Sequence, residues 1–305
     1  ASPAPIKIAT MSGIGLFLAM IGLQNAGVVR DDPATLVALG DLSSPGTGLA
    51  LLGLLLIAVL LTRRVQGAIL IGIVAISMAA WLSRVSPPPE AIATLPSLPT
   101  ETLLALDFHG LANGKVLTVI FAFLFVDFFD TAGTLFGVGR LAGFVDEKGN
   151  LPRVNRAFTA DAVGTSVGAL LGTSTVTSYV ESATGVEEGG RTGLTAVTVA
   201  LLFLCSLFLT PVFVAVPAIA TAPALLVVGA LMMRGTRELD WSRIDEAIPG
   251  FLTLAVMPLT FSIANGITFG IVSYVGIKLL SGKYREVHPL MYLLAALLML
   301  FHATR

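Results

Sequence analysis

Long apolar runs, interrupted by charged residues, prolines and glycines, dominate the pattern of this chain. A helix needs roughly 20 apolar residues to cross a bilayer, so these runs predict about ten membrane segments. They lie at residues 8–27, 47–62, 66–83, 116–137, 157–172, 173–190, 191–210, 211–233, 247–263 and 266–281. A last apolar run at 289–301 is too short to cross, and we expect it at the membrane interface or packed against the bundle. The pattern therefore predicts an all-α polytopic membrane protein.

One of these segments, 173–190, has the wrong composition for a continuous membrane helix. Five hydroxyl side chains occur between Thr173 and Ser178, and the β-branched run 175–177 favours extended backbone. The spacing Ser178-x-x-Glu181 is a capping box, which starts helices. We therefore expect a short extended piece that leads into a half-helix with Glu181 in its first turn. Irregular backbone at membrane depth survives only inside protein or beside a water-filled cavity.

Glu181 is a candidate functional residue because a carboxylate at membrane depth is costly and commonly marks a functional site. The alternative is that it only completes the capping box and balances the helix dipole. The two roles are compatible. N–H groups at the start of a half-helix stabilise an anion, and that anion can also accept hydrogen bonds from a ligand.

The segment 116–137 carries a second polar site. Asp127, Asp130, Thr131 and Thr134 fall at i, i+3, i+4 and i+7, which is one stripe of a helix. A charge at the bilayer centre costs roughly 2.5–3.5 kcal/mol on insertion scales, so two acids on one stripe need a polar interior, partners or protonation. The alternative is a structural polar contact between helices, and Asp130 in particular could simply support its neighbour.

A third feature is the run 257–274, in which Pro258 and the pair Asn265-Gly266 divide the apolar sequence into two short pieces. Interrupted segments are typical of inverted-repeat transporters. A plain helix hairpin is at least as good an interpretation, and we treat this run as architecture. Neither of the two longer outside loops, 28–46 and 84–115, shows chemistry.

Composition narrows the class of protein. The chain is 55% hydrophobic and 12% charged, with a mean hydropathy of +0.89 and a formal net charge of −1. Soluble domains carry about 25% charged residues, and the near-neutral charge gives no reason to expect nucleic acid as a partner. The sequence has no Walker A motif, no HExxH and no Cys/His cluster. Two acids on one helix also do not match an intramembrane aspartyl protease, so an enzyme is not expected.

The basic residues predict the topology. If the chain starts inside and the segments alternate, only Arg30, Arg84 and Lys115 fall outside. The other Lys and Arg residues fall inside, as the positive-inside rule requires. This count includes 173–190 as one crossing and predicts a cytoplasmic C-terminus.

Three blocks of the sequence resemble a known family. They are FVDFFDTAGTL (125–135), the long middle block 151–194, and MPLTFSIANGITFG (257–270). All three closely resemble the AzgA-type adenine–guanine–hypoxanthine permeases, a branch of the nucleobase–ascorbate transporter (nucleobase:cation symporter) superfamily. The resemblance implies fourteen membrane segments in two inverted repeats of seven, a core and a gate domain, and uptake of purines coupled to protons.

On that plan, the chain is expected to contain the second repeat complete and the first repeat in part. Residues 5–85 would be gate segments five to seven, and 114–210 would be core segments eight to eleven. Residues 211–285 would be gate segments twelve to fourteen, and 286–305 an interfacial C-terminal tail. The first four segments would be missing, and we interpret the start as a cut inside a longer protein.

The resemblance also assigns roles to residues. Asp127 and Glu181 would hold the purine, and Asp130 would be an accessory acid needed for transport. The helical stripe, rather than the resemblance, adds Thr131 and Thr134 as supporting residues. The backbone around Ser178, Tyr179 and Val180 could meet the remaining purine edge. No cofactor is expected beyond the proton as coupling ion.

The expected setting is the bacterial inner membrane, and the expected partners are lipid, the missing segments of the same protein and a possible second copy in a homodimer. Two alternatives remain open at this stage. One is a channel of related fold, and the other is a purine-binding membrane protein that does not transport.

Overall fold

The computed structural model describes residues 4–97, 99–108, 114–146, 151–179, 182–187 and 189–303. Within these residues the regular secondary structure is helical apart from one short β-hairpin, as the sequence predicts for the helices. The α-helices in chain order are α1 Ala4–Asn25, α2 Pro45–Thr62, α3 Ala68–Leu82, α4 Gly114–Leu141, α5 Val154–Leu171, α6 Ser182–Glu187, α7 Gly193–Ser206, α8 Thr210–Ala215, α9 Ala218–Met232, α10 Ile244–Leu259, α11 Ile263–Leu280 and α12 Pro289–Ala303. Short 3₁₀ turns follow α7, α9 and α11 at Leu207–Leu209, Met233–Glu238 and Tyr284–Glu286.

Five stretches of the described chain are long and apolar enough to cross a membrane. They are Pro5–Asn25, Pro45–Thr62, Gly193–Ala215, Ala218–Glu238 and Ile263–Leu280. These stretches have the length and composition of a multi-pass helical membrane protein, whereas the expected total of about ten segments stays a prediction. The helix α4 has 28 residues, which corresponds to a length of about 42 Å at 1.5 Å per residue. It carries the two acids of the polar stripe.

The structure moves two of the expected boundaries. The sequence placed a boundary between 210 and 211, but the helical path continues through Pro211 at the start of α8 and breaks at Val216 and Pro217, both extended. Proline is tolerated in the first turn of a helix, where its missing N–H would have no partner anyway. The pair Asn265-Gly266 does not separate two helices, because it lies inside the first turn of α11.

The loop 28–46 holds a two-stranded antiparallel hairpin that the sequence analysis did not predict. Its strands are β1 (Val29–Asp32) and β2 (Leu36–Leu39). At the turn, the Asp32 carboxylate accepts hydrogen bonds from the backbone N–H groups of Ala34 and Thr35, both at 2.9 Å. These bonds lower the pKa of Asp32 and fix the turn.

The chain forms two compact units, which we describe separately. One unit comprises Ser2–Pro96 and Leu204–Val287, and in it α1 packs against α9 and α10 while α2 packs against α3 and α9. Small residues allow the close contacts. A Cβ atom added to Gly229 would lie 2.5 Å from the carbonyl oxygen of Gly15, and one added to Gly270 of α11 would overlap the Thr253 hydroxyl of α10.

The helices α10 and α11 are joined at residues 260–262 and form a helix hairpin, which was one interpretation of the run 257–274. The Ser262 side chain caps α11 by accepting a hydrogen bond from the N–H of Asn265 at 3.2 Å.

At the far end of this hairpin lies a group of charged residues that the sequence analysis did not predict. Lys278, only 1% exposed, lies 2.7 Å from Asp245 and 2.5 Å from Glu286, and Lys283 lies 2.9 Å from Asp245. We call these four residues the hairpin charge cluster.

The second unit comprises Ser97–Phe203 and His288–Arg305. In it, α4 lies alongside α5 and α6, and the rings of Phe128 and Phe158 stack at 5.2 Å between α4 and α5. The C-terminal helix α12 buries one face, formed by Met291, Leu294, Ala295 and Leu298. That face has the spacing of a helix that packs along one side, and the interfacial position predicted for 286–305 stays a prediction.

Candidate functional site

The expected break after α5 is present, and a glycine produces it. Gly172 ends the helix with φ 80° and ψ 25°, a left-handed conformation that glycine adopts without steric cost. The N–H of Gly172 donates to the carbonyl of Ala169 at 3.1 Å, and the N–H of Thr173 donates to that of Gly168 at 2.9 Å. From Thr173 to Tyr179 the chain is neither helix nor strand. We call residues 173–179 the break segment.

The helix after the break starts later than predicted. The capping box predicted a start at Tyr179, directly after Ser178, whereas α6 begins at Ser182 and Tyr179 is not helical. The Ser182 N–H donates to the carbonyl of Tyr179 at 3.2 Å. Tyr179 is therefore not the first helical residue that the capping box predicted, and the box's Glu181 lies outside the described residues.

The break segment runs back along one face of α5. A Cβ atom added to Gly164 or Gly168 would lie 3.3 or 3.2 Å from the side chain of Val176, so these glycines let the segment approach closely. The Thr165 hydroxyl donates to the carbonyl of Val176 at 2.8 Å and accepts from its N–H at 3.3 Å. One side chain thus satisfies both backbone groups of a residue outside regular structure, as irregular backbone in a membrane protein requires.

The polar stripe of α4 meets this segment. Thr131 is fully buried and Thr134 is 3% exposed. The Thr131 hydroxyl donates to Asp161 Oδ2 of α5 at 3.0 Å, and it lies 2.9 Å from the hydroxyl of Thr177. While Asp161 is ionised, Thr131 gives its one hydroxyl proton to Asp161, and Thr177 is then the donor to Thr131. The three side chains form an ordered chain of hydrogen bonds from the break segment to α5.

Asp127 lies one helical turn before Thr131 on the same stripe. Its side chain is half-buried and hydrogen-bonds with the side chain of Thr175 from the break segment. The carboxyl group of Asp161 is close enough to interact with it electrostatically. Two acids from neighbouring helices therefore share one site with two threonines of the break. Two carboxylates in such a place repel each other unless a proton or hydrogen-bond donors stabilise them.

The remaining predicted residues are placed as follows. The backbone of Asp130 belongs to α4, one turn from Asp127 on the predicted stripe, and its side chain lies outside what the structure describes. Ser178 is half-buried and Tyr179 is 61% exposed, both at the end of the break segment. Val180 and Glu181 lie outside the described residues, so the pairing of Asp127 with Glu181 stays a prediction.

Sequence reasoning assigned no site role to four residues of this site, Asp161, Thr165, Thr175 and Thr177; the last two were noted only for the break that they predict. Asp161 could have been predicted from the sequence, because it is an acid within the predicted segment 157–172. An acid at membrane depth is costly there for the same reason as at Asp127. Thr165 had no such signal, since a threonine in a helix commonly bonds its own preceding turn. In the described part of the chain, no three His, Cys, Asp or Glu side chains are grouped so that they could hold a metal ion.

An apolar helical chain with a broken helix beside acids from two neighbouring helices has the features of a multi-pass membrane transporter. Comparison with known proteins gives the family. A model described as Permease family (Xan_ur_permease) matches residues 3–269. The chain belongs to this family of permeases and is a transporter, not an enzyme.

Similar proteins cover almost the whole chain. A Methanocaldococcus jannaschii protein named as a permease is 51% identical over 295 residues, which make up 97% of this chain and 68% of that protein. The guanine/hypoxanthine permease PbuO of Bacillus subtilis is 44% identical, with 97% of this chain and 70% of PbuO aligned. The adenine permease AdeP of Escherichia coli is 40% identical, with 98% of this chain and 67% of AdeP aligned.

Proposed function

We propose that this protein takes up purine nucleobases (adenine, guanine or hypoxanthine) across the bacterial inner membrane, and that protons drive the uptake. The observation that carries the proposal is the site described above, in which Asp127 and Asp161 from two helices meet Thr175 and Thr177 of the break segment. The names of PbuO and AdeP, which describe purine permeases, support the substrate class.

The chemistry of the site suits a nucleobase. A purine presents N–H donors and ring acceptors along its edges, and carboxylates accept hydrogen bonds from such donors in a charge-assisted way. In this proposal Asp127 binds one edge of the purine, and Glu181 binds it from the half-helix side. The backbone at Ser178, Tyr179 and Val180 meets the remaining edge. Asp130 supports Asp127 on the stripe of α4, together with Thr131 and Thr134.

Proton coupling follows from the same acids. A carboxyl group that leaves water holds its proton more readily, so a proton and a purine can bind cooperatively on the outside and leave together inside. Asp127 and Asp130 are the candidates that the sequence favoured, and the position of Asp161 adds a third. The proton is then the coupling ion, and the mechanism needs no cofactor.

The proposed movement is a displacement of a core domain against a gate domain. The division into two compact units supports this proposal: the unit containing α4, α5 and α6 would be the core, and the unit containing α1, α2, α3, α9, α10 and α11 the gate. The ten-segment plan, the inverted repeats, the cytoplasmic C-terminus and a homodimer belong to the same proposal.

Uptake of radiolabelled hypoxanthine tests the function. The full natural reading frame that contains this chain is expressed in cells, with and without a protonophore. Uptake should saturate, should be blocked by excess adenine or guanine, and should collapse with the protonophore. Asp127→Asn and Glu181→Gln should each abolish it, and normal rate and pH dependence in either variant would remove that residue from the proposal.

Two alternatives have distinct outcomes in the same assay. A channel of related fold would give flux that does not saturate and that ignores the proton gradient. A purine-binding protein that does not transport would give no uptake although the protein is in the membrane, together with thermal stabilisation by purine.

A further inference from the structure

The loop before α4, whose residues 97–108 are described except for 98, contacts the end of α5. The Thr102 hydroxyl donates to the carbonyl of Leu171 at 2.8 Å, and the N–H of Leu104 donates to that of Leu170 at 2.8 Å. The last carbonyls of a helix have no partner within the helix. The loop supplies two of those partners immediately before the break segment.

Two features of the backbone show how closely the loop is fitted to this place. A Cβ atom added to Gly172 would lie 2.4 Å from Cβ of Thr102, so the loop lies against the residue at which the helix ends. Leu104, whose N–H caps Leu170, has a φ of 57°. A leucine in this left-handed region is strained, and such strain persists only where the surrounding structure imposes it.

The path from Thr102 to the site is short. Gly172 leads directly into the break segment, where Thr175 reaches Asp127 and Thr177 reaches Thr131. The break segment has no helical hydrogen bonds of its own. A shift at its first residue therefore moves both threonines relative to α4, since α5 and the loop are what hold that end among the described residues.

We propose that Thr102 is a positioning residue of the transport site, which acts through Leu171 and Gly172 to set where Thr175 and Thr177 lie. The inference rests on the proposed function, because it assigns the loop a role in presenting the site to the purine. The proposal assigns a positioning role to the loop before α4, in which the sequence alone indicates no functional residue.

Kinetics of hypoxanthine uptake by the full-length protein provide the first test. Thr102→Val keeps the shape of the side chain and removes its donor, and it should raise KM about three- to tenfold, in line with the loss of one hydrogen bond. Thr102→Ser restores the donor and should behave as wild type. The matched control is Thr100→Val in the same loop, because within the described residues Thr100 makes no hydrogen bond to α5.

Hydrogen exchange of the purified protein without purine provides the second test. The N–H groups of Thr173 and Val176 are bonded to Gly168 and Thr165, so their exchange reports how firmly the break segment is held. Thr102→Val should accelerate exchange in the peptide 172–177 by a similar factor, and Thr100→Val should not. If the valine variant does not reach the membrane, Thr102→Ala makes the same comparison with a smaller side chain.

The two readouts separate the possible failures. The proposal is overturned if Thr102→Val matches Thr100→Val in both, or if it changes KM or exchange alone, since the role requires that the two change together. Wild-type protein that takes up no purine would instead overturn the proposed function. The exchange comparison would then decide by itself whether Thr102 positions the break segment.

Discussion

The hydroxyl of Thr131 donates a hydrogen bond to the carboxylate of Asp161 at 3.0 Å and so connects the buried stripe of α4 to α5. Thr131 is also the point where the break segment arrives, through Thr177. One fully buried hydroxyl therefore holds three parts of the site together.

Replacement of Thr131 by valine should lower hypoxanthine uptake roughly tenfold or more, because the half-buried Asp161 and Thr177 groups both lose this partner. Thr131→Ser keeps the hydroxyl and should retain most of the activity. Thr198→Val on α7 is the matched control, since within the described part of the chain that exposed hydroxyl bonds the preceding turn of its own helix, at Leu194, and no other element. Initial rates, corrected for the amount of protein in the membrane, provide the measurement. Equal rates for Thr131→Val and Thr198→Val would contradict this role.

Asp161→Asn should reduce uptake about 10- to 100-fold, because hydrogen bonds to charged groups contribute about 1.5–3 kcal/mol. The amide also removes the negative charge that faces Asp127. The rate of uptake is to be measured from acid to neutral pH, in parallel with Asp127→Asn. The matched control is Asp31→Asn, at an exposed position of strand β1. If Asp161→Asn kept both the rate and the pH profile of wild type, Asp161 would be a structural residue rather than part of the transport site.

Gly270→Ala should destabilise the α10–α11 hairpin by roughly 1–3 kcal/mol, the usual cost of overpacking. The added methyl group would overlap the hydroxyl of Thr253, which is fully buried. Gly276→Ala lies on the same helix with open space around it and should be neutral or slightly stabilising, since alanine favours helix. Thermal unfolding in detergent measures both variants, and an unchanged melting temperature for Gly270→Ala would contradict the described packing.

Lys278→Met should destabilise the protein by about 3 kcal/mol, because it leaves Asp245 and Glu286 without a buried cationic partner. Lys283 stays near Asp245, which places the effect at the low end for a broken buried pair. The control Lys283→Met removes a half-exposed partner of the same acid and should cost much less. Thermal unfolding of the two variants decides, and a larger loss for Lys283→Met would show that the buried lysine is not the principal partner.

The hairpin charge cluster should also make the stability of the folded protein depend on pH in the acidic range. Hydrogen bonding to Lys278 holds the pKa of Glu286 below its ordinary value of 4.5. A carboxyl group with a lowered pKa in the folded state stabilises that state above its unfolded pKa, and this contribution disappears as the pH falls through the folded value. Stability should therefore decline below about pH 4.5 more steeply in wild type than in Glu286→Gln. Parallel pH profiles for the two proteins would contradict the assignment.

Much of the fold could be predicted from the sequence because it depends on local patterns. Apolar runs of membrane length predict helices wherever they occur, and the hydroxyl-rich stretch at 173–178 correctly predicted a break. The polar stripe of α4 could also be predicted from local sequence, since helical spacing alone places Asp127, Thr131 and Thr134 on one face. The capping box placed Tyr179 in the helix, whereas Tyr179 is not helical, because a capping-box spacing does not show whether the chain uses it.

The partners of these residues were decided by tertiary structure. Thr131 meets Asp161 and Thr177 across 30 and 46 residues of sequence, and Thr102 meets Leu171 across 69. No period in the sequence encodes such pairs, because they depend on which faces of the helices pack together and on where Gly172 turns the chain. The sequence by itself determined which residues are costly to place in a membrane. Only the packing of α4, α5 and the break segment decided how those residues satisfy one another, since a buried hydroxyl or carboxylate must find its partner in whatever element lies beside it.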